Sequence, residues 1–286
     1  MANAVRIEGL CKQYGSFALK DMSMTVEAGT IMGLVGENGA GKTTTIKSIL
    51  GLVRPDAGGI EVMGEDALAN GYRARKQVGY VPDECCFHTV MSALDVARVM
   101  RALYPGWEDA LFKTLIGRFG IDPKKQIKDF SKGMRMKLSI AAAMAHRPRL
   151  LILDEPTGGL DPIARDELLD ILQQFVEDED HAVLFSTHIT SDLDKIADAV
   201  TFLHEGEIVF SARRDELMDT MGVARLSAAQ LAGLGPDEAL RVRREKFGCD
   251  ALLRDRRAAK RAHPDWVVEP VSIEEIMLMI VKGDIR

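Results

Sequence analysis

Cysteine is scarce, basic charge is in deficit, and no apolar run approaches the thickness of a bilayer. Of the four cysteines, Cys11, Cys85, Cys86 and Cys249, the adjacent pair lacks the spacing of zinc ligands. The opening MANAVRIEGL has no apolar core of a secretory signal, so free thiols in a reducing cytoplasm are expected. Lysine and arginine total 37 against 43 aspartates and glutamates, a net charge of -6 that argues against a nucleic-acid partner. The longest apolar stretches, LLIL and AAAMA, are core-sized and far short of the roughly 20 residues of a membrane helix. Tandem repeats and low-complexity tracts are also missing, which excludes solenoid and linker architectures.

What is present is an ordinary globular composition. The 286 residues are 47% hydrophobic and 28% charged, enough for one large or two modest domains. From Val5 to about Gly64, VRIEGL, IMGLVG and GIEVMG read as strands around one Gly-rich loop, and QVGYVPD is a strand stopped by proline. MSALDVARVMRALY and WEDALFKTLIGRFG carry helical apolar stripes. A helix opening at Ser131, the strand RLLILDEP, a helix from Pro162, the strand HAVLFSTH, a short helix DLDKIADAV and a hairpin around Glu205-Gly206 follow. Strands alternating with helices predict an α/β fold with a largely parallel sheet, interrupted by a helical block. Past about Ala212 the texture turns rich in Arg, Ala and Leu. The basic run Arg254–His263 reads as a solvated face, with binding to anionic lipid or to a partner as the other reading, and VSIEEIMLMIVKG as a helix packing its Ile/Met face on a small C-terminal domain or on a second copy.

Two stretches carry chemistry. GENGAGKTT, Gly36 to Thr44, matches G-x-x-x-x-G-K-[ST] between a buried strand and a helical pattern. Backbone N–H groups of Gly36, Glu37, Asn38, Gly39, Ala40 and Gly41 would turn around phosphate oxygens, and the helix carrying Thr44 adds its positive end. Lys42 suits the β/γ-phosphates of a nucleotide, and the Thr43 hydroxyl suits Mg²⁺. LLILDEP runs four apolar residues into two carboxylates, which places them at the sheet edge where ligands of open α/β sheets bind. Asp154 is suited to Mg²⁺ and Glu155 to polarising a water. Together the motifs predict an NTPase. The lack of an NKxD guanine-reading motif weighs against a GTPase.

FSKGM, Phe130 to Met134, ahead of LLILDEP narrows the class, because the chain here resembles the ATP-binding-cassette (ABC) ATPases, which carry LSGGQ at that place. The resemblance spans about residues 5 to 210 and includes Tyr14 in CKQYG as the adenine-stacking aromatic, in preference to the alternative Phe17, GYVPD as the Q-loop region, GGLD with Asp161 as the D-loop, and STH with His188 as the switch histidine. Two departures stand out. Asp83 replaces the usual Gln and is assigned to the metal with Thr43 and Asp154. Phe130, Lys132 and Met134 replace Leu, Gly and Gln of the signature. Ser131 and Gly133 are kept, so the resemblance implies that Ser131, Lys132 and Gly133 serve the γ-phosphate of ATP held by an opposite chain, with Lys132 either adding charge there or pointing to solvent. The SKGM form resembles a branch of bacterial exporters with a separate membrane subunit, often linked to small peptides or antibiotics.

The resemblance implies an α/β P-loop NTPase core with a mixed or parallel sheet, an N-terminal antiparallel β part, a helical subdomain at about 84–148 and a small C-terminal α+β domain. The ATPase domain is expected over 1–211 and the C-terminal domain over 212–286. The expected function is ATP hydrolysis, with Glu155 and His188 catalytic and Mg²⁺ as cofactor. The expected partners are a second copy or a paralogous ATPase subunit and an integral membrane permease, with no nucleic acid. The chain would be cytoplasmic and peripheral on the inner face of the cell membrane. The alternative is a soluble ABC-type ATPase with a regulatory role. ABC proteins of translation or DNA repair usually carry two cassettes or long coiled coils, and neither is seen here.

Overall fold

The structure, a computed structural model, describes residues 2–235, 237–245 and 248–284. The chain opens with β1 (Asn3–Tyr14) and β2 (Phe17–Glu27), an antiparallel hairpin whose register shifts twice between Ile7 and Lys12. Then follow β3 (Ile31–Val35), α1 (Lys42–Ile49), β4 (Ala57–Val62) and β5 (Glu65–Asp66). β1, β2, β4 and β5 form one antiparallel sheet in the order β2-β1-β4-β5.

β3 enters a second sheet. After α2 (Gly71–Lys76) and β6 (Val78–Val81), the chain makes α3 (Ala93–Leu103), α4 (Asp109–Arg118) and α5 (Lys132–Met144). Local signals explain the starts: Ser92 and Asp95 form a reciprocal cap at α3, and Ser131 caps α5. β7 (Leu150–Asp154), α6 (Pro162–Phe175), β8 (Ala182–Thr187), α7 (Thr190–Ile196), β9 (Ala199–His204) and β10 (Glu207–Arg213) complete the sheet, in the order β10-β9-β3-β8-β7-β6. All pairs in it are parallel except β10 with β9. β3 and β7 are buried at every position, as strands covered on both faces must be. One face packs with α1 against the N-terminal sheet, joining Leu34 and Ile152 to Ile7 and Val26; the other receives α3 to α7.

The remainder is α8 (Arg214–Thr220), β11 (Gly222–Leu226), α9 (Ala228–Ala232), β12 (Ala239–Glu245), β13 (Gly248–Leu253), α10 (Arg256–Ala262), β14 (Val267–Pro270) and α11 (Ile273–Lys282). Its antiparallel sheet runs β12-β13-β11-β14. One face packs Ala251 and Leu226 with Ala259 of α10 and Trp266, while the other puts Val223 and Leu252 against α11. Ile276 and Met279 of α11 also share a core with Leu193 and Ile196 of α7. The amphipathic helix therefore covers its own sheet and, beyond what its stripe announced, the helix after His188. The change of texture near residue 212 falls inside β10, and the C-terminal sheet itself starts at Gly222. In the basic run, Arg256 and Arg257 face Asp219 at 3.8 Å and His263 stacks on Trp266 with ring centroids 3.7 Å apart.

Candidate active site

Strands β3, β8, β7 and β6 lie side by side and parallel, so whatever follows each of them meets at one sheet edge. Gly36–Thr44 follows β3, Thr187 and His188 end β8, Asp154 and Glu155 end β7, and Asp83 follows β6. Sheet order thus gathers four motifs that are far apart along the chain.

The loop after β3 is shaped by contacts that only glycine permits. A Cβ at Gly36 would stand 2.3 Å from the Leu203 carbonyl oxygen. Gly41, at φ 114°, is the left-handed residue from which α1 starts. The buried Ala40 fixes the loop: its N–H donates to the Glu37 carbonyl and its carbonyl accepts from Gly206 N–H, both at 3.1 Å. Glu37, Asn38 and Gly39 are exposed, as is Thr43 on the first turn, and Thr44 is half-buried. Lys42 is only 6% exposed. Its ammonium donates to the carbonyls of Gly36 (2.8 Å) and Glu37 (3.2 Å) and lies 3.2 Å from Glu155 Oε1. A buried ammonium held by two carbonyls and a carboxylate, beside the unpaired N–H groups of a helix start, makes a cradle that fits phosphate.

Glu155 joins the loop to His188. Its Oε2 accepts from His188 Nδ1 at 2.7 Å and from the His188 backbone N–H at 3.3 Å. A carboxylate only accepts, so Nδ1 carries the proton and Nε2 is left open. Glu155 Oε1 is buried, accepts no hydrogen bond, and faces the Lys42 charge. The Glu155 backbone sits at φ 50°, a sparsely populated region for a side chain with a Cβ. It is held there by its N–H, which donates to the Ser186 carbonyl and hydroxyl, both at 3.1 Å. The Ser186 hydroxyl donates to Asp154 Oδ1 at 2.6 Å, and both residues are buried. The sequence marked Ser186 only as the first residue of STH and gave it no role of its own. Burial, with Asp154 and other acids adding, pushes the Tyr80 phenol up to about 12, so Asp154 has a protonated neighbour on β6.

The remaining expected residues border this centre. Partial burial raises the Asp83 carboxyl above its usual range, Lys132 pulls it back, and Asp154 and Glu155 push it further up. Asp83 also shares a cleft of about 490 Å³ with Cys85, Lys132 and Arg135. Ser131 is exposed, and its hydroxyl accepts from Met134 N–H at 3.2 Å. A Cβ at Gly159 would stand 3.0 Å from Lys132 Nζ, so that side chain lies along the loop leading to Asp161 in its own chain. A Cβ at Gly133 would stand 3.4 Å from Ala164, which seats α5 on α6. Asp161 caps α6, accepting from Ile163 and Ala164 N–H. Among the described residues, no hydrogen bond or ion pair joins Ser131, Lys132 or Gly133 to Gly36–Thr44. Tyr14 is 45% exposed and lies under Lys12, whose ammonium is 5.4 Å from the ring centroid. The cleft of about 740 Å³ beside the phosphate loop is lined by Phe17, the residue paired with Tyr14 across the β1–β2 turn, together with Gln13, Asn38 and Gly39.

Comparison with known proteins agrees with this geometry. Residues 19–158 match the family model described as ABC transporter. Over 220 residues the chain is 33% identical to the bacitracin transport ATP-binding protein BcrA of Bacillus licheniformis, covering 76% of this chain and 72% of that protein. It is 35% identical over 214 residues to the lantibiotic transport ATP-binding protein SrtF of Streptococcus pyogenes, covering 74% of this chain and 91% of that one. Among solved structures, an ATP-binding subunit of an ABC transporter superposes with a TM-score of 0.69 at 29% identity, over 75% of this chain and 91% of its own.

Proposed function

The chain belongs to the ABC family as an ATP-binding, ATP-hydrolysing subunit, and on that premise we propose that two copies close over two ATP·Mg²⁺ and drive a separate membrane permease in export. The observation that carries this reading is the line Lys42–Glu155–His188 across the edge of three neighbouring strands. Lys42 and the N–H groups of Gly36–Thr44 hold the β- and γ-phosphates. Glu155 takes a proton from the attacking water as the new O–Pγ bond forms and the Pγ–O bond to ADP breaks. ADP departs with the bonding pair, and His188 keeps the carboxylate in place. Tyr14 supplies the ring for adenine at the turn that places Phe17 in the neighbouring cleft.

Thr43, Asp154 and Asp83 offer the hard oxygen donors that suit Mg²⁺. Among the described residues there is no cluster of three or more His, Cys, Asp or Glu that holds a metal without help. Mg²⁺ sites built on nucleotides need none, because phosphates complete them; the ion would offset negative charge on the phosphoryl oxygens.

The second copy, or a paralogous subunit, supplies Ser131, Lys132 and Gly133 to the γ-phosphate. The isolation of these residues from their own phosphate loop supports that division. No helix among the described residues is long and apolar enough to cross a membrane; the proposed membrane contact is peripheral, through the permease, on the cytoplasmic face. Small peptides or antibiotics are the proposed cargo class, supported by the transport roles in the names of the bacitracin and lantibiotic relatives. Glu155→Gln tests the centre. It should bind ATP, shift to a dimer on sizing, and lose about 10²- to 10⁴-fold in turnover. Wild-type turnover would remove Glu155 from its role.

A further inference from the structure

Beyond the residues that meet the nucleotide, the helix that follows His188 is held by a buried charge with no part in the chemistry above. α7 begins two residues after His188, and Asp192 on its first turn is 1% exposed. Asp192 Oδ1 accepts from the Arg165 guanidinium of α6, and Arg165 also donates to Ser191 Oγ at 2.7 Å. Asp192 Oδ2 is buried with no hydrogen-bond partner. One turn further along, Lys195 pairs with Asp166. On its sheet side α7 rests on bare backbone: a Cβ at Gly33 would stand 2.2 Å from Leu193 Cδ2.

Burying a carboxylate with one oxygen unpartnered is costly, and an apolar pair of similar volume usually serves stability as well or better. What an apolar pair lacks is a two-pronged, directional fix on the first turn of α7. That turn sets where His188 stands. We propose that Arg165 is a positioning residue: by gripping Asp192 and Ser191 it sets the register of α7 and so keeps the His188 imidazole against Glu155. The inference rests on reading Glu155 and His188 as the hydrolytic pair.

The test replaces the ion pair by an apolar one, Arg165→Met with Asp192→Leu, in the full chain. The melting temperature and ATP affinity should stay near wild type, turnover should fall about ten- to hundredfold, and the His188 ring signals of ¹⁵N-histidine-labelled protein should move. Retained turnover with unmoved His188 signals would overturn the proposal, because a purely structural pair is restored by apolar packing. If the double variant does not fold, Ser191→Ala removes one exposed anchor and is read by the same signals: a shift supports the grip, and unmoved signals sink it. A His188→Ala control separates the two levels. If it keeps wild-type turnover, the hydrolytic reading fails while the ring signals still report the grip. If it loses turnover and the double variant does not, only the grip fails.

Discussion

Ser131→Arg separates a helix cap from half of a shared site by the size of its effect. The Ser131 hydroxyl is exposed and makes one hydrogen bond, from Met134 N–H at 3.2 Å. Losing such a cap costs about 1 kcal/mol, which for a chain of this size lowers the melting temperature by about 2–4 °C. A cap alone therefore leaves ATP binding and dimerisation intact. A γ-phosphate contact in trans is filled by the arginine, and ATP-dependent dimerisation should disappear while the fold survives. Mixing decides the matter. Lys42→Ala removes the ammonium lying against Gly36, Glu37 and Glu155, so that chain serves only as a signature donor. Neither variant should dimerise with ATP alone. Mixed, they form one composite site that joins the intact loop of the Ser131→Arg chain to the intact signature of the Lys42→Ala chain. Nucleotide trapped per dimer is the readout, because hydrolysis stays low where both sites must act together. If Ser131→Arg alone still forms the ATP dimer and melts only a few degrees lower, FSKGM is an ordinary helix start and the two-chain site is refuted.

Two further outcomes follow from charge and burial. Asp83→Gln should be tolerated and should lower the Mg²⁺ concentration needed for turnover, because a carboxylate beside Asp154, Glu155 and a triphosphate is repulsive unless a cation lies between them; an unchanged Mg²⁺ titration would take Asp83 away from the metal. Burial holds the pKa of His146 below its ordinary 6.5 while hydrogen bonding to the Val78 carbonyl works against the shift, so the unfolded chain takes up the proton first and stability, whole above about pH 6.5, falls as pH drops from there toward the folded value. His146→Phe should flatten that acid slope of the melting temperature, and an unaltered slope would place the sensitivity elsewhere.

How far the site could be read from sequence follows from which interactions are local. Gly36–Thr44 and the Asp-Glu strand end could be picked out because each pattern lies in consecutive residues, and the alternation of strands and helices announced the parallel sheet. The hairpin partner β2 was not, since FALKDMSMTVE alternates imperfectly and its register with β1 shifts. The meeting of Lys42 with Glu155 needs β8 to lie between β3 and β7, an order that no local pattern states. The apolar stripe of α11 foretold a buried face, but a stripe does not name its complement; α7 became that complement only when the C-terminal sheet docked beside it. Lys132 shows the same limit, since its type said charge and only packing of α5 on α6 turned it toward Gly159. Arg165 and Asp192 are the extreme case. They stand 27 residues apart, neither belongs to a motif singled out above, and each reads alone as a solvated helix charge. Motif reading finds the groups proposed to meet the nucleotide; the groups proposed to hold those in place are chosen by helix packing and appear only with the fold.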